Sequence, residues 1–399
     1  MQAITKLVSE LASHDIDFNE FVRSDGYLFV HNNSGVAGRG IAMRGDSRTI
    51  QQALSGIDHK NTSGITQAGP IAIGCIPFES HTPHDFVIPS VIIGTTNDGE
   101  QWITVIDDAK FDLSDQVVPT NSVADFSVAP GVAINYYLEA VRITRDAVSN
   151  GDFQKAVIAR DIFIVSNKEF DIHSILLRLR DRYRSSYRYF FEGFLGASPE
   201  LLVSVDGETV SSHPLAGTTS RTGDAITDHR LAQELISSTK NQLEHRIVID
   251  MVHDTLLPWC SYLDWQPEPS IVEIANVAHL GTEISGRLSE PRPTVLELAY
   301  ALSPTPALGG HPREIAMQHI KRVEGFNRGR YGGAIGYFNA DGDGCFAVAI
   351  RCAEINQENR TAHLFAGGGI VGDSDPLNEL AETEAKFKAM LNAITNQHL

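Results

Sequence analysis

Short apolar segments broken by turn residues fill the front of the chain, and this pattern limits the folds open to it. Over residues 26–108 the segments YLFV, PIAIGCIPF, FVIPSVIIGTT and QWITVID are separated by Gly, Asn and Asp. Such runs predict β-strands. Helical spacing follows over residues 131–149, and KAVIARDIFIV, from Lys155, returns to strand character.

The remainder of the chain mixes both kinds of element without a regular order. Strands are predicted at ELLVSV, CFAVAIR and AHLFAG, and helices at HRLAQELISS, LEHRIVIDMVHDTLL, PTVLELAYAL and LNELAETEAKFKAML. This irregular interleaving, with no strict βαβ alternation and no internal repeat, predicts an α+β fold. We expect one compact domain, with a strand-rich part over residues 1–130, a catalytic region over residues 131–399, and a seam near residues 117–128.

Composition sets further limits on the function. With 42% hydrophobic and 21% charged residues among 399, the chain can bury a large core. A formal net charge of −18 with no basic cluster disfavours nucleic acids and acidic membranes as partners. The sequence has no apolar run long enough to span a membrane and no secretory leader pattern, so we expect a cytoplasmic protein. An anionic substrate would need a local group of cations or a bound metal ion.

Four cysteines are spread along the chain and do not form a metal-binding or disulfide pattern. We expect them to be buried free thiols. They are Cys75, Cys260, Cys345 and Cys352.

Two residues could move protons. Lys155 begins an apolar strand, where burial would favour a neutral amine able to deprotonate water. From position alone, however, a lysine that extends to solvent is the commoner outcome. Glu200 follows GASP and precedes the strand at residues 201–205; burial there would keep it protonated as a general acid, although a solvent-facing turn carboxylate is equally expected.

Carboxylates on two predicted helices could bind a cation. Glu244 lies on a largely apolar helix face, where it needs Mg²⁺ or a basic side chain as partner. On the last helix Glu379, Glu382 and Lys386 project from one side, although an exposed ion pair is the usual reading of this spacing. Glycines at residues 367–369 precede that helix and permit close approach of backbone N–H groups to an anion.

Three further side chains could contact an anionic substrate. Arg351, at the end of CFAVAIR, could bind a carboxylate with two hydrogen bonds or pair with a structural acid. Tyr331, in RGRYGGAIGYF, is a polar candidate. His279 could donate to a substrate hydroxyl, but a core hydrogen bond is the commoner role of a single histidine.

Nine segments, in this order, resemble those of the chorismate-utilising enzymes over residues 132–396. They are QKAVIAR, GASPELL, HPLAGTTSR, STKNQLEHRIVID, SPTPALGGHP, RGRYGGAIGYF, AIRCAEI, AGGGIVGDSDP and ELAETEAK. The front third is similar only in general character. That family includes anthranilate, aminodeoxychorismate, salicylate and isochorismate synthases, which all start from chorismate and use Mg²⁺.

The resemblance implies a role for each candidate. A metal ion that receives the ring carboxylate would be held by Glu244 and Glu382, with Glu379 beside them. The enolpyruvyl carboxylate would be held by Tyr331, Arg351 and the backbone of Gly367. Supporting contacts to the substrate are assigned to Gly217, Thr218, His279 and Lys386.

Two positions indicate the reaction. Lys155 stands where the ammonia-using members typically carry Gln, and Ala216 stands where aminodeoxychorismate synthases carry a nucleophilic Lys. The resemblance therefore predicts that water attacks C2 with Lys155 as base, that Glu200 protonates the departing C4 hydroxyl, and that isochorismate is formed. No glutamine amidotransferase subunit is expected, and we predict a monomer or a weak homodimer.

Alternatives remain within and outside this class. A salicylate synthase, which would go on to eliminate pyruvate, shares the same acid and base, although PTPALGG at residues 304–310 resembles the isochorismate version. A non-catalytic chorismate-binding protein fits less well, because base, acid and metal carboxylates are all present. The chain departs from the usual pattern at Ala159, Ser303 and Gly368, and Gly368 is expected to loosen the carboxylate-binding loop.

Overall fold

The computed structural model describes residues 1–111, 124–274 and 277–396. Its α-helices are α1 (Phe18–Val22), α2 (Ser47–Ser55), α3 (Ile134–Ser149), α4 (Ile172–Arg182), α5 (Ala225–Ser237), α6 (Thr239–Leu256), α7 (Val295–Leu302), α8 (Arg313–Val323) and α9 (Pro376–Thr395). None of the helices in these ranges is long and apolar enough to cross a membrane.

The strands make up most of the remaining regular structure. They are β1 (Gln2–Leu7), β2 (Tyr27–His31), β3 (Ser34–Arg39), β4 (Met43–Gly45), β5 (Asp58–Asn61), β6 (Ile71–Ile76), β7 (Phe86–Ile88), β8 (Val91–Thr95), β9 (Gln101–Ile106), β10 (Phe126–Pro130), β11 (Lys155–Ser166), β12 (Tyr187–Phe191), β13 (Phe194–Ser198), β14 (Leu201–Asp206), β15 (Thr209–His213), β16 (Leu215–Ser220), β17 (Cys260–Trp265), β18 (Ser270–Ile274), β19 (Val277–Gly281), β20 (Ile284–Leu288), β21 (Gly310–His311), β22 (Ala334–Asn339), β23 (Gly344–Val348), β24 (Cys352–Asn356) and β25 (Thr361–Ile370).

These strands form three sheets. A 13-stranded sheet has the order β10-β11-β25-β24-β13-β12-β2-β3-β8-β9-β1-β5, with β21 paired to β11. A 9-stranded sheet has the order β17-β20-β15-β14-β23-β22-β6-β7-β4, and β16-β19-β18 form a small third sheet. Neighbouring strands in the described ranges run antiparallel except for β1 and β5. The predicted α+β class with mostly antiparallel sheets is confirmed.

The two larger sheets face each other, and both contain strands from the front and the back of the chain. Phe29 of β2 and Tyr337 of β22 meet edge to face across the interior, with ring centroids 5.7 Å apart. The apolar residues that the sequence places in short strands form the core between the sheets.

The longest strand, β11, carries Lys155 at its first position. It is buried on both faces over most of its length, as its near-continuous apolar sequence predicts. Helices α3 and α8 pack on it, and β25 pairs with it so that Gly367 opposes Ala159.

Helices α6 and α9 begin at clear sequence signals. The side chain of Ser238 accepts the Asn241 backbone N–H at the start of α6. Asp375 caps α9, followed by Pro376 in the first turn. Helix α6 packs against β16 and α9 against β25. These contacts bring Glu244 and Glu382 to the end of the large sheet where Lys155 lies.

Most predicted elements are present, with several corrections. The helices α3, α5, α6, α7 and α9 coincide with predicted segments, whereas α1, α2, α4 and α8 were not predicted. FVIPSVIIGTT is divided at Pro89 into two strands, β7 and β8, because proline cannot continue a ladder. The predicted seam lies partly outside the described residues, and its end belongs to β10, which pairs with β11.

Two local predictions near the candidate site were wrong. Residues 367–369 lie within β25 and do not form a loop. The strand in CFAVAIR ends at Val348, so Arg351 lies in the connection to β24. There its φ is 51°, in the left-handed region that non-glycine residues rarely adopt.

Candidate active site

One cavity gathers nearly all of the candidate residues. It has about 670 Å³ of empty space, including its mouth, and lies between β11, β25, β16, α6 and α9. Every predicted site residue except Glu379 lines it: Lys155, Glu200, Gly217, Thr218, Glu244, His279, Tyr331, Arg351, Gly367, Glu382 and Lys386. Residues separated by more than half of the chain therefore share one site.

Lys155 is buried and does not extend to solvent. The residue is 1% exposed, and its Nζ donates to Oε1 of Glu244 at 2.7 Å. The alternative of a solvent-exposed strand-end lysine is therefore wrong. A partner of opposite charge is what a buried ammonium requires, and Glu244, 13% exposed, provides it.

Glu200 is also buried, between β13 and β14. Burial raises the pKa of its carboxyl to about 8, although the Leu215 N–H, at 3.4 Å, and the positive charges of Lys155, Arg351 and Lys386 act in the opposite direction. The carboxyl is therefore largely protonated at neutral pH and can act as an acid. The solvent-facing alternative is wrong, because Glu200 is 2% exposed.

Arg351 is a buried cation without an acidic partner. It is 7% exposed, burial lowers the pKa of its guanidinium, and its Nη2 lies 3.0 Å from Nε2 of His279. In the part of the chain that the structure describes, no carboxylate is ion-paired with it. An uncompensated buried charge is costly, so this end of the cavity favours an anion.

The protonation of His279 follows from its neighbours. Because a guanidinium only donates, Nε2 must accept from Arg351, and Nδ1 carries the proton. Nδ1 lies 3.0 Å from the Gly217 carbonyl and 3.1 Å from Oγ1 of Thr218, its partner in the β16–β19 register. Burial lowers the pKa of His279 well below its usual value, so the ring is neutral. Both nitrogens have protein partners, as in the core hydrogen-bond alternative.

The part of the cavity wall formed by α6 and α9, called here the carboxylate end, carries paired acids. Lys386 donates to the Gly367 carbonyl at 2.7 Å and to Oε1 of Glu382 at 2.5 Å. Glu379, one turn earlier, is 6% exposed. Burial, and secondarily the charge of Glu382, raise its pKa to about 7. The i,i+4 pair of the last helix is thus part of the cavity wall and not a surface pair.

The glycines of β25 leave room for these acids. A Cβ at Gly368 would lie 2.5 Å from Oε2 of Glu379 and 4.0 Å from Oε1 of Glu382. A Cβ at Gly369 would lie 2.5 Å from Oε1 of Glu244. Gly368 therefore accommodates a carboxylate beside a strand, which corrects the expectation of a loosened loop.

A divalent ion fits this donor set. No group of three His, Cys, Asp or Glu side chains is already arranged as a metal site in residues 1–111, 124–274 or 277–396. However, three carboxylates approach the adjacent glycines 368 and 369, and burial together with the charge of Glu382 raises the pKa of Glu379. Carboxylate oxygens are the ligands that Mg²⁺ prefers.

The apolar wall of the cavity was largely missed from the sequence. Val157, Ala307, Leu308, Ile350 and Phe365 line it, and Phe365 stacks on Tyr331 with ring centroids 5.2 Å apart. Strand alternation could have indicated Phe365, because residues 365 and 367 point to the same face. Val157 likewise lies two residues after Lys155 on β11, whereas Ala307, Leu308 and Ile350 lie in loops, which carry no such periodicity.

The chain belongs to the chorismate binding enzyme family, whose model matches residues 58–395. It is 33% identical to the isochorismate synthase DhbC of Bacillus subtilis over 375 residues, which cover 90% of both chains.

Solved structures agree with the family. A putative 2,3-dihydroxybenzoate-specific isochorismate synthase, DhbC of Bacillus anthracis, matches with a TM-score of 0.80 and 30% identity, covering 95% of this chain and 99% of that one. The menaquinone-specific isochorismate synthase MenF of Escherichia coli shares the fold, with a TM-score of 0.83, 21% identity, and coverage of 96% and 92%.

Proposed function

We propose that this protein is an isochorismate synthase, which converts chorismate into isochorismate. The observation that carries the proposal is that the same cavity is lined by a buried lysine, a buried glutamate with a raised pKa, and a buried arginine that no carboxylate of the described residues pairs with. Relatives named isochorismate synthase, matching nine tenths of the chain, support it.

Lys155 and Glu200 perform the proton transfers. Lys155, which must first give up the proton that it carries in its pair with Glu244, accepts a proton from the water that attacks C2 of the ring. Glu200 gives its proton to the hydroxyl that leaves C4, so one water enters and one water departs. The raised pKa of Glu200 supports its role, since a carboxyl that is ionised at neutral pH could not protonate a leaving group.

Two groups of residues bind the two carboxylates of chorismate. Arg351, Tyr331 and the Gly367 backbone hold the enolpyruvyl carboxylate, because Arg351 is a buried cation of the cavity wall that forms no ion pair with a carboxylate of the described residues. At the other end Glu244 and Glu382, with Glu379 beside them, hold Mg²⁺. When bound, Mg²⁺ supplies positive charge that offsets the ring carboxylate.

Supporting residues shape the space around the ring. Gly217, Thr218, His279 and Lys386 line the cavity and hold the binding groups in place. The small side chain of Ala216, also in the wall, leaves room for water and offers no amine for a covalent adduct.

A product assay tests the proposal. Purified protein with chorismate and Mg²⁺ should release isochorismate, and ammonium salts should yield no aminated product. Salicylate fluorescence as the main signal would identify a salicylate synthase. Anthranilate would overturn the role of Lys155, and tight binding of chorismate without turnover would identify a binding protein. Glu200→Gln protein is the matched control for trace contaminants.

We predict that the enzyme acts without an amidotransferase subunit. We also predict that it is a monomer or a weak homodimer and that it is cytoplasmic. Size-exclusion chromatography with light scattering of the purified chain tests the oligomeric state.

A further inference from the structure

A buried ion pair outside the cavity connects three of the segments that form its wall. Arg328 and Glu324 are each 3% exposed, and Nε of Arg328 donates to Oε2 of Glu324 at 2.8 Å. Nη2 also contacts Oε1 of the same carboxylate. Neither residue lines the cavity.

The remaining contacts of the pair reach main-chain atoms of the wall. Arg328 donates through Nη1 to the Leu308 carbonyl and through Nη2 to the Val157 carbonyl, each at 2.7 Å. Glu324 accepts the Ala159 backbone N–H at 2.7 Å. Val157 and Leu308 both line the cavity, so the pair joins β11 to the loop before β21.

A third segment is attached to the same arginine. The backbone N–H of Tyr331 donates to the Arg328 carbonyl at 3.0 Å. The guanidinium lies 5.8 Å from the ring centroid of Tyr331. The residue proposed to contact the substrate carboxylate is therefore placed by Arg328 as well.

Stability alone is a weak reason for such a pair. A buried ion pair often contributes little net stability compared with apolar residues of similar volume. What a guanidinium provides is a planar set of donors with fixed directions, which can bind one carboxylate and two carbonyls at once. A lysine could keep the charge but could not keep this geometry.

We propose that the Arg328–Glu324 pair is a positioning device that sets Val157, Leu308 and Tyr331 at the spacing required to bind chorismate. This rests on the proposed function for its substrate. The pair does not touch the acids at the other end of the cavity, so it affects substrate binding and leaves the Mg²⁺ requirement unchanged.

Arg330 provides a matched control on the same loop. It is a partly buried arginine that binds Glu354, with Nε 2.5 Å from Oε1, and the Phe191 carbonyl at 3.0 Å. None of these three residues lines the cavity. Arg328→Lys and Arg330→Lys thus remove comparable hydrogen bonds, but only those of Arg328 reach residues that line the cavity.

The experiment compares the two variants by kinetics, thermal melting and chorismate binding. Binding is measured by calorimetry in a Glu200→Gln background, so that it does not depend on turnover. Both variants should melt at lower temperature, but only Arg328→Lys should weaken chorismate binding and raise KM, by about tenfold, with kcat changed less than about threefold.

Other outcomes contradict the proposal. Equal KM in both variants, or wild-type binding by Arg328→Lys, would show that the pair serves stability alone. If Arg328→Lys does not fold, Glu324→Gln, which can still accept the Ala159 N–H, should show a smaller rise in KM; failure of both to fold would also overturn it. If wild-type protein binds chorismate without converting it, the proposed function fails, while the binding comparison still tests the positioning.

Discussion

The two ends of the cavity differ in how their buried charges are compensated. At the carboxylate end each acid facing the cavity has a lysine partner, with Lys155 on Glu244 and Lys386 on Glu382. At the arginine end the cation Arg351 contacts a neutral histidine. At the carboxylate end the acids must leave their lysine partners before they can hold a metal ion. The arginine end is already arranged to bind an anion.

This difference indicates where the protein gives up stability for binding. A buried cation that lacks an acid and has a φ of 51° is unfavourable in isolation. The neutral His279 acceptor, itself fixed by Gly217 and Thr218, keeps Arg351 in place without neutralising it. Hydrogen bonds therefore hold Arg351 in place while its charge stays available to the substrate.

The largest expected effect is at the carboxylate end. Chelation with EDTA should abolish turnover, and Glu382→Gln should reduce kcat/KM by a factor on the order of 10³, because a metal ion contributes several kcal/mol of charge stabilisation. Glu244→Gln should behave similarly. Calorimetric titration with Mg²⁺ checks binding independently of activity. Full turnover in metal-free buffer would contradict the assignment of magnesium to this site. It would indicate that Glu244 and Glu382 stay paired with their lysines during the reaction.

Replacement of the lysine paired with Glu244 should have the next largest effect. Lys155→Ala should lower kcat by a factor on the order of 10² to 10⁴, the usual contribution of a positioned proton-transfer group. Chorismate and Mg²⁺ should still bind, since both carboxylate-binding ends remain. Near-normal turnover with unchanged product would show that Lys155 only neutralises Glu244.

Glu200, which lies between the ends, should set the basic limb of the pH profile. Because burial raises its pKa to about 8 and the acid must be protonated, kcat should fall above that pH. Glu200→Gln should lower kcat by a factor on the order of 10² to 10³ and remove this limb. Measurement of kcat on both sides of pH 8 tests this, and a wild-type rate that stays flat above that pH would contradict it.

The smallest effect is expected from a conservative change at the arginine end. Arg351→Lys keeps the charge but loses the paired donors, so KM for chorismate should rise by about 10- to 100-fold with a smaller change in kcat. Binding of Mg²⁺ should be unchanged, which calorimetry can verify. Equal loss of metal and substrate binding would mean that the two ends are not independent.

Much of the fold and the site could be predicted from the sequence. Periodicity indicated the α+β class and placed α6 and α9 correctly, because the apolar face of a helix is set by local spacing. The order of nine motifs identified Lys155, Glu200 and Arg351, and the cavity contains all three. Such motifs can be recognised because each is a short stretch of consecutive residues.

The environment of those residues was decided by tertiary structure alone. Position along the chain favoured an exposed Lys155, but the packing of α6 against β16 buries it beside Glu244. Tertiary packing also sets the pKa of Glu200 and the hydrogen bonds of Arg328, and it leaves Arg351 without an ion pair to any carboxylate of the described residues. Sequence spacing determines which residues share a helix or strand face, whereas burial and charge pairing depend on contacts between distant segments, which only the folded chain brings together.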